Sequence, residues 1–284
     1  MSATPPSLAR PNRLDPLDDW SAGQPVVPPK PIAWRRWLGL IPPVLLLALG
    51  ELAVRAGWVS PNLLPAPSDV ARTLVEFGAE GLTRHVLASS GRVGLGFALG
   101  AGLGLVAGAA VGLSRHVEAL IDPSFQALRA IPSLAWVPLL LLWLGIDEAS
   151  KVTLIAIGAF FPVYMGVSSG FRDVDRKLVE VGQIAGLRPV ALVRRVLFPA
   201  ALPPVMTGLR NGLSLAWMFM VAAELIAATK GLGYLLTDGR ETGRADIVLA
   251  AIVLLAVLGQ ISDTGMRWLE TRLLRWRDTL DSRH

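Results

Sequence analysis

The amino-acid sequence predicts an all-α integral membrane protein with about six transmembrane helices. Of its 284 residues, 52% are hydrophobic and only 17% are charged, which is too apolar for an ordinary soluble domain. The mean hydropathy of +0.51 agrees with this interpretation. Apolar runs of about twenty residues, the length that one bilayer crossing requires, predict spans at 38–56, 93–113, 123–144, 152–170, 204–228 and 247–266.

The domain organisation follows from changes in composition along the chain. Residues 1–36 are rich in proline and carry several aspartates, so we expect a disordered cytoplasmic tail there. We expect residues 37–267 to form the transmembrane domain, with a charged loop at 171–200 between two apolar runs. Residues 268–284 form a predicted cytoplasmic amphipathic tail.

Two short helices are predicted at the membrane surface. Ser68–Asp69 follows three prolines and is a helix-start signal for a short helix that ends near Phe77. After the last span, Leu269, Leu273 and Trp276 share one helical face, which favours an interfacial amphipathic helix.

Basic residues predict the orientation of the chain. Most of the 27 lysines and arginines lie in segments on one side of the predicted spans, including both termini and the 171–200 loop. Because cytoplasmic segments carry an excess of positive charge, we expect both termini and this loop in the cytoplasm. Arg129 and Arg210 fall within spans and are assigned to neither side. The positive charge follows the ends of apolar runs, which argues against a nucleic-acid-binding face.

The second span carries a glycine at every fourth position. This spacing exposes a strip of backbone on one helical face, against which another helix can pack closely. The pair Gly94 and Gly96 could alternatively belong to a dinucleotide-binding loop. That interpretation fails because no strand precedes the pair and no acidic residue follows it at the required distance. The glycines of the strip are Gly96, Gly100, Gly104, Gly108 and Gly112.

Prolines interrupt the third and fourth spans. Pro132, Pro138 and Pro162 each remove a helix hydrogen bond where water cannot replace it, so we expect kinks. Such kinks either bend helices around a transport pathway or only fit the packing. Pro132 and the nearby Trp136 are candidate pathway residues.

Glu224 is a carboxylate inside the fifth span, a costly position that favours a functional hypothesis. It either pairs with a basic group such as Arg92 or takes part in gating the pathway. Ser214, Trp217 and Met218 precede it on the same helix and are candidates for lining the pathway, with ordinary packing as the alternative.

Several classes of site are excluded by what the sequence lacks. It contains no cysteine, which excludes disulfides, thiolate metal sites and a cysteine nucleophile. It also contains no Gly-x-x-x-x-Gly-Lys-Ser/Thr phosphate loop, so ATP hydrolysis at such a loop would need a partner protein. The three histidines are too dispersed to predict a metal site, and no nucleophilic triad is arguable. We expect neither enzymatic activity nor a cofactor bound by this chain.

The 171–200 loop has its own structural logic. Its acidic residues suit the start of a short helix at 177–185, and Gly186 can end that helix in a left-handed conformation. A turn and a second short helix at 190–196 would complete a compact knob below the membrane.

At this loop the chain resembles the permease subunits of bacterial ABC importers. These carry Glu-Ala-Ala, then three residues, Gly, nine residues and Ile-x-Leu-Pro, and the sequence matches with Glu180, Gly186 and Pro199. Val181 and Gly182 replace the two alanines, and Val196 and Phe198 replace Ile and Leu. The resemblance covers about 38–277, and the stretches 128–135, 142–148 and 222–226 are most similar to the aliphatic sulfonate branch of the sulfonate, taurine and nitrate permeases.

The resemblance implies a type I ABC importer-like fold in the bacterial inner membrane. It implies a homodimer of this permease, two ATPase subunits that use ATP, and a periplasmic substrate-binding protein. The implied substrate is an aliphatic sulfonate, with taurine, nitrate or another small substrate as alternatives, and an ion-gradient-driven secondary transporter is the alternative from another class. The residues implied at the ATPase contact, or in shaping it, are Glu180, Ala185, Gly186, Leu187, Arg188 and Pro199.

Overall fold

The computed structural model describes Gly39 and residues 41–276, and within them it contains helices and no strand. Internal contacts divide the chain into two units, 1–48 and 49–284. The helices are α1 (Ile41–Arg55), α2 (Pro67–Glu76), α3 (Gly78–Leu113), α4 (Arg115–Ala130), α5 (Val137–Leu144), α6 (Glu148–Arg172), α7 (Arg176–Ile184), α8 (Pro189–Leu192), α9 (Phe198–Ala227), α10 (Leu232–Glu241) and α11 (Ala245–Leu273). A 3₁₀ turn at Ser133–Trp136 precedes α5, and a π-helical turn at Val193–Leu197 joins α8 to α9.

Four helices in the described part of the chain are long and apolar enough to cross a membrane, or five spans if a bent pair counts as one. The four are α3, α6, the continuous α8–α9 helix and α11. Within the first predicted span, the described helix is the fifteen-residue α1, which begins at Ile41. A crossing needs about twenty residues, so the count of six spans remains a prediction. The tail predicted at 1–36 lies outside the described residues.

Helix α6 forms the centre of the bundle, between α3 and α9. Its side chains Leu154, Ile155, Ala159, Val163 and Val167 are all buried. Because this helix is covered on two sides, its apolar residues do not follow a single stripe. The packing joins the three helices into one block.

The glycine strip of α3 faces α6, as predicted. A Cβ atom built on Gly96 would lie 2.6 Å from the Ile155 side chain, one on Gly104 would lie 2.9 Å from the Phe160 carbonyl oxygen, and one on Gly112 would lie 2.8 Å from Phe171. One on Gly108 would lie 2.7 Å from Val167, and one on Gly100 would overlap the backbone of Ala156. Each glycine therefore allows a backbone approach that any larger residue would block.

The third predicted span is not one continuous helix. Its two halves, Arg115–Ala130 and Ser133–Leu144, are bent by 87°. Ile131 is extended at the break, because the ring of Pro132 disfavours helical backbone at the preceding residue. The kink predicted at Pro138 is wrong, since this residue lies in the first turn of α5, where no helical hydrogen bond is lost. Helix α6 continues unbroken through Pro162.

Of the two short helices predicted beside the spans, one is present as a separate helix. Helix α2 occupies the position predicted after the proline-rich segment. The helix predicted after the last span is not separate, because α11 continues without a break to Leu273. A single glycine, Gly265, stands near the predicted end of the span, and a lone glycine inside a helix lowers its stability without ending it. Residues 277–284 of the predicted tail lie outside the described residues.

Candidate functional site

The first half of the 171–200 loop is a short capped helix, α7. The side chain of Asp175 accepts a hydrogen bond from the backbone N–H of Lys177 at 2.9 Å, which satisfies a free donor at the helix start. Arg176 and Glu180 form an exposed ion pair at 2.9 Å one turn apart. Glu180 therefore faces solvent and supports α7 along its length.

Gly186 ends this helix in a left-handed conformation, as predicted. The φ angle of Gly186 is +73°. The Gly186 N–H donates to the Gln183 carbonyl at 2.9 Å, and the Leu187 N–H donates to the Gly182 carbonyl at 3.1 Å. This pair of bonds is the Schellman arrangement, which turns the chain sharply after a helix. Gly182 is buried, and a Cβ atom built on it would lie 2.5 Å from the Leu192 side chain. The glycine that replaces the second alanine of the Glu-Ala-Ala motif therefore lets α8 approach α7.

The second half of the loop differs from the prediction. The helix predicted at 190–196 does not end there; α8 continues through the π-helical turn into α9. Pro199 lies inside this continuous helix, directly after the π-helical turn, and its missing N–H removes one helical hydrogen bond there. The loop is thus rigidly continuous with a helix long enough to cross the membrane.

Most of the predicted ATPase-contact residues are exposed. Glu180, Ala185, Gly186 and Arg188 face solvent, and Leu187 is half-buried between α7 and α8. An exposed apolar ridge lies among them and was not predicted, although its spacing of three residues along α7 was a readable signal. The ridge consists of Leu178, Val181, Ile184, which is 87% exposed, and Val190.

A buried charge cluster lies at the opposite end of the bundle. Glu224 is 1% exposed, and the predicted pairing with Arg92 is present, with Arg92 Nη1 2.6 Å from Glu224 Oε1. Arg92 also donates two hydrogen bonds to Glu148, each of 2.6 Å. The Glu224 carboxylate further accepts from the Ser89 hydroxyl and from the Gly233 N–H, both at 2.7 Å. One carboxylate thus joins α3, α9 and the start of α10, and Arg92 extends the cluster to α6.

A large groove runs beside α6 in the half of the bundle that bears the loop. Its volume is about 1030 Å³, and it is bounded by α4, the 3₁₀ turn, α6 and α9. The sequence interpretation missed it, although Thr207 and Asn211 stand one turn apart in an apolar helix and were a readable signal. Its polar lining includes Gln126, Arg129, Ser133, Ser169, Thr207 and Asn211.

The six predicted pathway residues do not line this groove. Ser214 donates to the Arg210 carbonyl at 3.1 Å, Trp217 donates to the Ser262 hydroxyl on α11 at 2.9 Å, and Met218 is exposed. Pro132 sits at the bend after α4. Trp136 packs against the core around Ile155 and borders a separate apolar cavity, and Glu224 belongs to the buried cluster.

Comparisons with known proteins identify the family. Residues 100–275 match the family described as "Binding-protein-dependent transport system inner membrane component". The chain belongs to this family. The predicted resemblance is confirmed, and the chain is a transport permease of the inner membrane.

Individual relatives cover most of this permease. It is 41% identical over 247 residues to SsuC of Bacillus subtilis (strain 168), whose name assigns it to aliphatic sulfonate transport; the match covers 86% of this chain and 90% of that protein. It is 42% identical to SsuC of Escherichia coli (strain K12), with 82% and 89% covered. The taurine transport system permease protein TauC of the same strain is 35% identical, with 85% and 93% covered.

A solved structure has the same architecture. A chain from an inward-facing conformation of the MetNI methionine ABC transporter aligns with a TM-score of 0.55 and 21% identity, covering 68% of this permease and 94% of that chain. The predicted fold class, an all-α membrane protein like the type I ABC importers, is confirmed.

Proposed function

We propose that this permease carries aliphatic sulfonates inward across the bacterial inner membrane as the transmembrane subunit of an ABC importer. The observation that carries the substrate class is its 41% and 42% identity to two relatives that are named for aliphatic sulfonate transport. A third relative is named for taurine, which is itself a sulfonate. Taurine, nitrate or another small substrate is the alternative within the same architecture.

The proposed assembly contains two copies of this permease, two ATPase subunits and a periplasmic substrate-binding protein. The groove supports the proposal of a second copy. Within the described residues its lining comes from α4, α6, α9 and one turn, and a second copy that faces this lining would complete a pathway. The exposed ridge supports the ATPase contact, since apolar side chains at a rigid, charged loop are typical of a docking surface. Both termini are proposed to be cytoplasmic. ATP is consumed by the partner, and this chain has no enzymatic activity of its own.

The proposed mechanism uses the continuity of the loop with α9. Closure of the ATPase pair would displace α7 and α8, and the uninterrupted helix from Pro189 would pass that displacement to the groove wall at Thr207 and Asn211. The block of α3, α6 and α9 would move as a unit because its backbones are in close contact. Access to the groove would then alternate between the two sides of the membrane.

Transport by reconstituted proteoliposomes tests the proposal. We expect uptake of labelled ethanesulfonate when the permease, its ATPase and its binding protein are present with ATP at the ATPase side, and background uptake without ATP. Uptake of taurine or nitrate but not of ethanesulfonate would overturn the substrate. Uptake that persists without the ATPase would indicate a secondary transporter, and ATPase binding without any transport would indicate a scaffold.

Replacing Gly186 with valine is expected to lower ATP-dependent uptake by roughly tenfold. A residue with a Cβ in the left-handed region costs about 1–2 kcal/mol, which favours a loop with a different exit angle. No atom lies within 4 Å of a Cβ built there, so the effect is one of backbone conformation and not of steric overlap. Gly186→Asn is the matched control, since asparagine tolerates this conformation, and it should keep most of the uptake. Equal uptake by the two variants would contradict a role for this turn.

A further inference from the structure

Arg129 differs from the other arginine that the sequence places inside a predicted span. Arg210 pairs with Asp263 at 3.1 Å and with Glu270 at 3.4 Å. Arg129 lies in the last turn of α4, and none of the carboxylates in the described residues is within ion-pair distance of it. Its guanidinium contacts the sulfur of Met165 on α6 instead.

The position of Arg129 is inside the groove and away from its charged end. Met165 lies seven residues before the end of α6, which is about 10 Å along the helix. The carboxylates that line the groove do not neutralise Arg129. Asp122 accepts a hydrogen bond from the Tyr164 hydroxyl and lies 3.7 Å from Arg172. Asp173 is the residue at which α6 ends, one turn or more beyond Met165.

An unpaired cation at this depth is costly unless it faces water or a ligand. The other charged side chains of the groove, Asp122, Arg172 and Asp173, lie toward the loop end, where Arg172 is within 3.7 Å of Asp122. Elsewhere the groove is lined by uncharged hydrogen-bonding side chains, including Gln126, Ser133, Thr207 and Asn211. A guanidinium presents several N–H donors in one plane, which suits a group with two or three equivalent oxygens. Arg172 is paired with Glu118 and Asp122, so Arg129 is the positive charge of the groove lining that has no carboxylate partner among the described residues.

We propose that Arg129 is the anion-binding residue of the groove, where its guanidinium pairs with the oxygens of the sulfonate head group during transport. This inference rests on the proposed function for the identity of the anion. The placement of the charge in the groove does not depend on that function.

The first test measures uptake and ATP hydrolysis together in the reconstituted importer. We expect Arg129→Gln to lower ethanesulfonate uptake at least tenfold while hydrolysis stimulated by the binding protein continues, and Arg129→Lys to retain more uptake. Arg72→Gln, at an exposed position on α2, is the control and should resemble the parent protein. Full uptake per ATP hydrolysed by Arg129→Gln would overturn the proposal.

The second test needs no transport and uses the absence of cysteine from the chain. Thr207→Cys places a single thiol in the groove, which can be labelled with anionic sulfonatoethyl methanethiosulfonate or with its cationic trimethylammonioethyl analogue. We expect the anionic-to-cationic ratio of labelling rates to fall about tenfold when Arg129→Gln is added, because the attracting charge is gone. An unchanged ratio would overturn the proposal.

A third measurement keeps Arg129 in place and so does not depend on the folding of an Arg129 variant. Ethanesulfonate should slow labelling of Thr207→Cys by the anionic reagent, and a neutral alcohol of similar size should not. Lack of protection would contradict anion binding in the groove. If the parent importer takes up no sulfonate but the labelling results hold, the proposed substrate fails while the anion site stands.

Discussion

Replacing Glu224 with alanine is expected to destabilise the permease by about 3–5 kcal/mol, the cost of breaking a buried ion pair by removing one partner. Its carboxylate is 1% exposed and accepts hydrogen bonds from Arg92, Ser89 and the Gly233 N–H. Without it, the Gly233 N–H at the start of α10 loses its acceptor and Arg92 loses one of its two carboxylates. We expect little folded protein in membranes and a lower midpoint of thermal unfolding in detergent.

Two companion variants separate charge from shape. Glu224→Gln keeps the volume and one acceptor oxygen, so its loss should be intermediate. Glu148→Ala removes the other carboxylate that binds Arg92, but that side chain is 55% exposed and water can replace it, so the loss should be the smallest of the three. Thermal midpoints that do not follow this order would contradict a stabilising role for the buried cluster.

The cluster also bears on the gating role that was predicted for Glu224. It lies at the end of the bundle opposite the loop, whereas the groove lies in the half that bears the loop. A fully hydrogen-bonded carboxylate in contact with three helices is suited to holding that end closed. If Glu224 gates transport, uptake by Glu224→Gln should fall further than its folded fraction.

The sequence was sufficient where one physical rule dominated. The glycine strip predicted backbone contact because only a missing side chain at every fourth position exposes backbone. Gly186 was predictable because a glycine after a short helix is a common left-handed end. The pairing of Glu224 with Arg92 was one of two alternatives that the sequence offered, and the cost of burying either charge alone favours it.

Pro132 predicted a kink in the third span, but neither the size of the bend, 87°, nor the groove could be predicted in the same way. Hydropathy reports how apolar a segment is and not its direction, so a span broken at Ile131 reads as one continuous run. The groove brings together Arg129 and Thr207, which are far apart in sequence and on different helices. Neither residue signals the other until the packing of α4, α6 and α9 is known. The predicted lining residues lay instead farther along the same helix, α9.

Replacing Gly100 with valine is expected to prevent the central three-helix block from packing and to abolish transport. A Cβ at this position would overlap the backbone oxygen of Ala156, with the Ala156 Cα at 2.9 Å, and a backbone cannot rotate away as a flexible side chain can. Overpacking in a core costs about 1–3 kcal/mol even where side chains yield, so the cost here should reach or exceed the top of that range.

Gly102→Val is the matched control, because Gly102 is exposed on the same helix with no atom within 4 Å of a built Cβ. We expect thermal unfolding followed by tryptophan fluorescence to show a large loss for Gly100→Val and almost none for Gly102→Val. Similar midpoints for the two would mean that α3 and α6 are not in backbone contact in the membrane.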